Sequence, residues 1–201
     1  MDSASIAHAA HAAHPPEAHH SSRVDSRLLG VLLFIISEAM LFGSFFTAYF
    51  FVRVVQGVDW PPEPFEFPVT VASMNTAVLL VSSGTVHWAL HSIKKGNRRG
   101  LQVGLAVTFM LGLMFLITQI NEYFKAGFSI EDGAFASVFY GLTGLHGAHV
   151  FVGLTLLAIM NIRTARGHFS LDSHMGVEAA GIYWHFVDVM WIIVWFTIYI
   201  L

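Results

Sequence analysis

The chain has 201 residues, of which 55% are hydrophobic and only 11% charged, with a mean hydropathy of +0.64. A soluble domain devotes about a quarter of its residues to charge, so the composition is that of an integral membrane protein, not of a globule with a large core. Zero cysteines exclude a disulfide scaffold, a thiolate-ligated haem, an iron–sulfur cluster and a cysteine-bridged copper centre of the chain's own, and a net charge of −3 gives no footprint for nucleic acid.

Residues 1–27 are polar and rich in Ala and His, with His8, His11, His14, His19 and His20. They lack the short apolar core after a basic start that marks a cleaved signal peptide. Imidazoles bind transition metals, but no regular ligand spacing is kept, and the expected state is a disordered, solvated cytoplasmic tail.

Five apolar segments follow, at about residues 28–55, 68–93, 101–124, 134–164 and 177–201. Each reaches the roughly 20 residues needed to cross about 30 Å at 1.5 Å per residue. The expected fold is all-α, a polytopic bundle of five transmembrane helices with its termini on opposite sides. Arg23, Arg27, Lys94, Lys95, Arg98, Arg99, Arg163 and Arg166 fall on one side, and only Arg53 and Lys125 on the other. The positive-inside rule then makes the N-terminus cytoplasmic and turns Leu201 outward. Asp59-Trp60-Pro61-Pro62-Glu63-Pro64, stiff, acidic and aromatic, suits the outer interface.

Ionisable residues inside the segments carry the functional signal. Glu38 lies in the first, His87 and His91 in the second, His146 and His149 in the fourth, and His185 and Asp188 at i and i+3 in the last. An aspartate at a membrane helix centre costs about 2.5–3.5 kcal/mol on the insertion scale, so something must compensate it. Counting along the helices puts Glu38 about 15 Å deep, His185 about 12 Å, Asp188 about 16 Å and His149 about 21 Å. The expectation is a buried polar cluster of Glu38, His149, His185 and Asp188, with Glu178, His87 and His91 nearer the cytoplasmic face. Gly141, Gly144 and Gly147 recur every three residues, a spacing that lets a neighbouring helix come close.

Each polar residue admits two readings. Glu38 is either a proton-carrying carboxylate or a protonated carboxyl hydrogen-bonded to a neighbouring helix. His149, His185 and Asp188 are either metal or haem ligands or structural hydrogen-bonding groups; no opposed pair of histidines suited to a haem is visible. Trp184, Trp191 and Trp195 read as packing and interface residues, and Glu122 as a helix-end partner. A metal-ion transporter, with tail histidines collecting the ion and Glu38, His149 and Asp188 conducting it, predicts inverted internal repeats. The sequence contains none.

The stretches LFIISEAMLFGSFF around Glu38, Trp60-Pro61-Pro62, NTAVLLVSSG from Asn75, QINEYF around Glu122, GLTGLHGAHVFVG around His146 and His149, and HFSLDSHMGVEAAGIYWHFVDVMWI from His168 resemble subunit III of haem-copper respiratory oxidases, in family order and spacing. The resemblance is strongest to the cytochrome c oxidase branch and covers residues 28–201. It implies a chain that holds no haem, copper or other metal and has no catalytic residue of its own, the redox metals residing in partner subunits. Such a chain packs on oxidase subunit I, with subunit II and a small subunit IV in the same complex and cytochrome c as electron donor. The complex reduces dioxygen to water while pumping protons, and subunit III binds phospholipid and sustains proton uptake and turnover stability. Glu38 matches the family's buried carboxylate, and Arg163, Arg166 and His168 match positions that meet a phospholipid head group; read from charge alone, they are also ordinary positive-inside residues. The familiar mitochondrial form has two further helices before the stretch matching Leu28, so the resemblance points to a short bacterial member of an aa3-type oxidase in the plasma membrane. Within the family, a quinol oxidase subunit III or an accessory subunit of nitric oxide reductase are the alternatives, and a pure assembly or lipid scaffold is a third.

Overall fold

The computed structural model describes residues 26–57, 69–169 and 175–201. The His-rich stretch lies outside these residues, apart from Ser26 and Arg27 at the start of the first helix, and so does the Trp60-Pro61-Pro62 loop. The described residues form five helices: α1 (Ser26–Gln56), α2 (Val69–Lys94), α3 (Arg98–Lys125), α4 (Ala134–Ala165) and α5 (Met175–Trp195), the last running into a π-helical turn, Phe196–Ile200. All five are long and apolar enough to cross a membrane, and the described residues contain no strand. In hydrocarbon a helix satisfies every backbone N–H and C=O within itself, which is why Val- and Ile-rich runs such as residues 192–200 are helical here despite their strand propensity.

Short connections force neighbours to run antiparallel. Between α2 and α3, Gly96 takes a φ of 77°, and Asn97 caps α3 by accepting a 2.9 Å hydrogen bond from the Gly100 N–H. Gly167, at a φ of 76°, ends α4 by donating its N–H to the Thr164 carbonyl.

Helix α5 is the hub. It runs antiparallel to α2: Glu178 meets Lys94, Gly181 meets Leu90, Trp184 meets Ser82, and Trp191 meets Thr76. It runs parallel to α1, so that Phe34 stacks near Tyr183 while Tyr49 and Arg53 reach the backbone oxygens of Thr197 and Leu201. Trp184 and Trp191 are fully buried. The indole Nε1 of Trp184 donates to the Ser82 hydroxyl at 3.0 Å, and that of Trp191 to the Thr76 hydroxyl at 2.9 Å, so neither N–H is stranded in hydrocarbon.

Glycines allow these rings their place, but they are not the expected ones. A Cβ on Gly112 of α3 would overlap the six-membered ring of Trp184, and one on Gly153 of α4 would come within 2.8 Å of the same indole. Gly104 similarly admits Ala89. By contrast a Cβ on Gly144 meets nothing within 4 Å, Gly147 only just reaches Leu116, and Gly141 touches Phe45 alone. Within the period-three stripe only Gly141 makes a close approach, to Phe45 of α1; the other close approaches are Gly112 and Gly153 against Trp184, Gly104 against Ala89, Gly100 against Ser92 and Gly181 against Leu90. Outside the core, Met40, Phe51, Val54, Met74 and Phe124 are largely exposed, the distribution of a protein whose solvent is lipid.

Candidate functional site

The ionisable residues of the segments divide into two groups on different helix pairs. The first joins α1 to α4. Glu38 Oε2 lies 2.8 Å from His149 Nε2, with the carboxyl side chain 20% exposed and the imidazole 10% exposed. His149 Nδ1 is 2.7 Å from the Leu145 carbonyl one turn earlier. A carbonyl oxygen only accepts, so Nδ1 carries a hydrogen and Nε2 is the acceptor nitrogen of the neutral ring. The short Glu38 contact must then hold a proton, either on the carboxyl donating to Nε2 or on an imidazolium donating to a carboxylate. Both arrangements are neutral overall. That neutrality decides the energetics, because a single interhelical hydrogen bond in a membrane contributes only about 0.6 kcal/mol, far less than the cost of an isolated charge. Phe42 and Phe186 close over the imidazole at ring separations of 4.9 and 6.4 Å.

The second group joins α2 to α5. The Ser83 hydroxyl is 2.7 Å from His185 Nδ1. Asp188, one turn further along α5, is only 3% exposed, and its oxygens make no hydrogen bond. No hydrogen bond among the described residues joins Ser83, His185 and Asp188 to Glu38 and His149. The structure brings Glu38 together with His149, joins His185 to Ser83 and leaves Asp188 buried one turn along α5 with no hydrogen bond.

At the end of the bundle that carries Lys94, Lys95, Arg98 and Arg99, α4 finishes in a third feature. Arg163, Arg166 and His168 are all exposed. The Gly167 turn folds the chain back so that the His168 N–H donates to the Arg163 carbonyl at 3.1 Å, and the Arg163 guanidinium sits 5.3 Å from the centre of the Phe169 ring, a cation–π contact that orders the long side chain. Glu178 pairs with Lys94 at 2.8 Å on the same rim. At the opposite end, Glu122 and Lys125 form a looser pair at 3.4 Å.

Sequence reasoning missed the hydroxyls of α2 as a set. Thr76 takes the Trp191 indole, Ser82 the Trp184 indole and Ser83 the His185 imidazole; Thr76 precedes the two serines along α2 whereas Trp191 follows Trp184 and His185 along α5, as antiparallel neighbours require. It also left His146 without a role. His146 is fully buried with neither ring nitrogen hydrogen-bonded, between Phe115 and Trp191 at ring separations of 5.8 and 4.8 Å. Among the described residues no three His, Asp or Glu side chains converge in a way that could hold a metal ion.

Residues 11–201 match the family described as Cytochrome c oxidase subunit III. The chain is 41% identical over 191 residues to cytochrome c oxidase subunit 3 of Oryctolagus cuniculus, covering 91% of this chain and 73% of that relative. It is 43% identical to the proteins of the same name from Papio hamadryas and Cyprinus carpio, over 191 and 194 residues with the same coverage. With the family match over residues 11–201 and 41% identity over 91% of its length, the chain belongs to the cytochrome c oxidase subunit III family.

Proposed function

We propose that this chain is the non-redox subunit III of a proton-pumping, aa3-type cytochrome c oxidase in a bacterial plasma membrane, with its N-terminus cytoplasmic and Leu201 outside. In this reading it packs on subunit I, in a complex with subunit II and a small subunit IV, and haem and copper reside in those partners. The observation that carries it is the Glu38–His149 pair: a carboxyl group and an imidazole share one proton between two membrane helices, neutral as a unit. Such a pair can exist at depth without a counter-ion and can pass its proton between the two partners without creating a net charge in lipid. Beside a proton-uptake path in subunit I, it would keep one flank of that path polar and α1 in place.

The basic rim supports a second part of the role. Arg163, Arg166 and His168 form a cationic ledge where α4 leaves the bundle, and a juxtamembrane Lys or Arg contributes about 1 kcal/mol of attraction to an anionic lipid surface. A phospholipid head group held there would have its acyl chains against the apolar outer faces of the helices. The chain would then seal subunit I with protein on one side and ordered lipid on the other.

The test is to purify the intact complex by a tag on this chain, determine its subunits and record its optical spectrum and electron donor. Co-purification with haem-bearing subunits and oxidation of cytochrome c is the expected result. Oxidation of quinol alone, or reduction of nitric oxide, would move the chain to another branch of the family, and recovery of the chain alone with bound metal would overturn the reading in favour of a transporter.

A further inference from the structure

Helix α1 leans on α4 and α5, and α2 on α3 and α5, without substantial packing between α1 and α2. The outward face of α5 is left open between them. Val189 and Ile192 are exposed there, at 54% and 36%, and Ile182 and His185 are half-buried. One wall of this trough is polar along half its length. Starting at the Lys94–Glu178 pair, it passes the exposed His87, which lies within electrostatic reach of His185, and ends at Ser83 and the buried Asp188 beneath.

Beyond His185 the trough is lined by Val189, Ile192 and Phe196. Ser83 occupies His185 Nδ1, so the half-buried ring keeps Nε2 without a hydrogen-bond partner among the described residues, and His87 has none either. At about 12 Å below the rim, acyl chains are the only lipid material present, and they offer no hydrogen bond; a polar group left against them costs several kcal/mol. Lipid alone therefore does not complete this surface. A helix whose buried half is polar and whose other half is apolar does.

We infer that this trough seats a membrane-spanning helix of another polypeptide of the oxidase, whose polar side chains hydrogen-bond with His185 and His87. The inference rests on the reading of the chain as one subunit of that complex. It adds which face docks and the chemistry it recognises: hydrogen-bonding side chains in the partner's half nearest the Lys94 rim, and aliphatic ones beyond it.

The experiment uses the intact oxidase in its native membrane, with a photo-reactive amino acid introduced in place of Val189 or, as a control on a different helix, of Met110 of α3, which is 62% exposed. At position 189 the expected product is an adduct with a membrane-spanning subunit of the oxidase, identified by mass spectrometry, and at position 110 an adduct with lipid. In parallel, His185→Phe should lower the fraction of this chain retained on the complex after a detergent wash by about tenfold, with its helix content unchanged. Lipid adducts alone at 189, an adduct with a second copy of this chain, or undiminished retention of His185→Phe would each overturn the docking face while leaving the subunit assignment intact. Failure of the unmodified chain to co-purify with any oxidase subunit would instead overturn the assignment, and the docking face with it.

Discussion

Replacing Glu38 separates the two things the α1–α4 contact does. Glu38→Ala removes the partner of His149 Nε2 and leaves that nitrogen in a site that is 10% exposed and closed by Phe42 and Phe186. Stranding one buried hydrogen-bonding group costs about 1–3 kcal/mol. Only 6% of the apolar stretch of α1 is buried, against 56% for α5, and its Tyr49 and Arg53 anchors lie at the far end of the helix, so this loss should appear as early detachment of the part of α1 around Glu38. In Glu38→Gln the amide can still donate to Nε2, and the contact survives with no titratable proton. A titration of purified complex with a denaturing detergent, following a fluorophore on α1, should therefore rank parent and Glu38→Gln within about 1 kcal/mol and Glu38→Ala clearly below them. Removing both partners in Glu38→Leu with His149→Leu should recover most of the loss, since no polar group is then stranded. If Glu38→Ala unfolds with the parent, or if the double variant is as weak as the sum of the single ones, the shared-proton pair is not what holds α1. Glu38→Gln then isolates chemistry from structure: unchanged pumping and durability in that variant would reduce the role of Glu38 to scaffolding.

The clamp on Trp184 predicts opposite signs for chemically identical changes. Gly112→Ala and Gly153→Ala should each destabilise the bundle, because overpacking costs about 1–3 kcal/mol and the indole is tethered to Ser82, whereas Gly144→Ala, with open space at its Cβ, should be neutral or stabilising by up to about 1 kcal/mol. Thermal unfolding in one detergent checks all three, and equal effects would contradict the packing described. His146→Phe loses no hydrogen bond, so its cost should be only that of fitting a larger ring into a fully buried site, about 1–3 kcal/mol; a loss well above that in the same assay would mean that the imidazole has a polar partner. Neutralising Arg163 and Arg166 together should reduce the phosphate that co-purifies with the complex, at unchanged thermal stability of the helices. Lipid phosphorus analysis measures it, and an unaltered phosphate content would remove the head-group role.

Much of the architecture was readable because membranes impose few solutions. Long apolar runs broken by Gly and Asn admit five helices and little else, and the chain resolves into them. That buried carboxyl and imidazole groups need partners was also readable from cost alone. Which partner each takes was not. Depth counts put Glu38 level with His185 and Asp188, yet rotation about the helix axes, set by bulky residues such as Trp184 and Phe42, turns Glu38 toward α4 and His185 toward α2. The glycine stripe was legible only in part: Gly141 does admit Phe45 of α1 closely, while Gly144 meets nothing within 4 Å, because spacing says where small residues lie along a helix, not what stands opposite. Ser83 would need knowledge that α2 and α5 are antiparallel neighbours, which follows only from tertiary packing.

The account stands or falls on whether the chain preserves an enzyme that it does not itself catalyse. Dioxygen consumption should be followed through many turnovers in the complete oxidase and in the same enzyme lacking this chain. Equal initial rates with much faster decay in the depleted enzyme are predicted; equal lifetimes, or no dioxygen reduction from the first turnover, would contradict it.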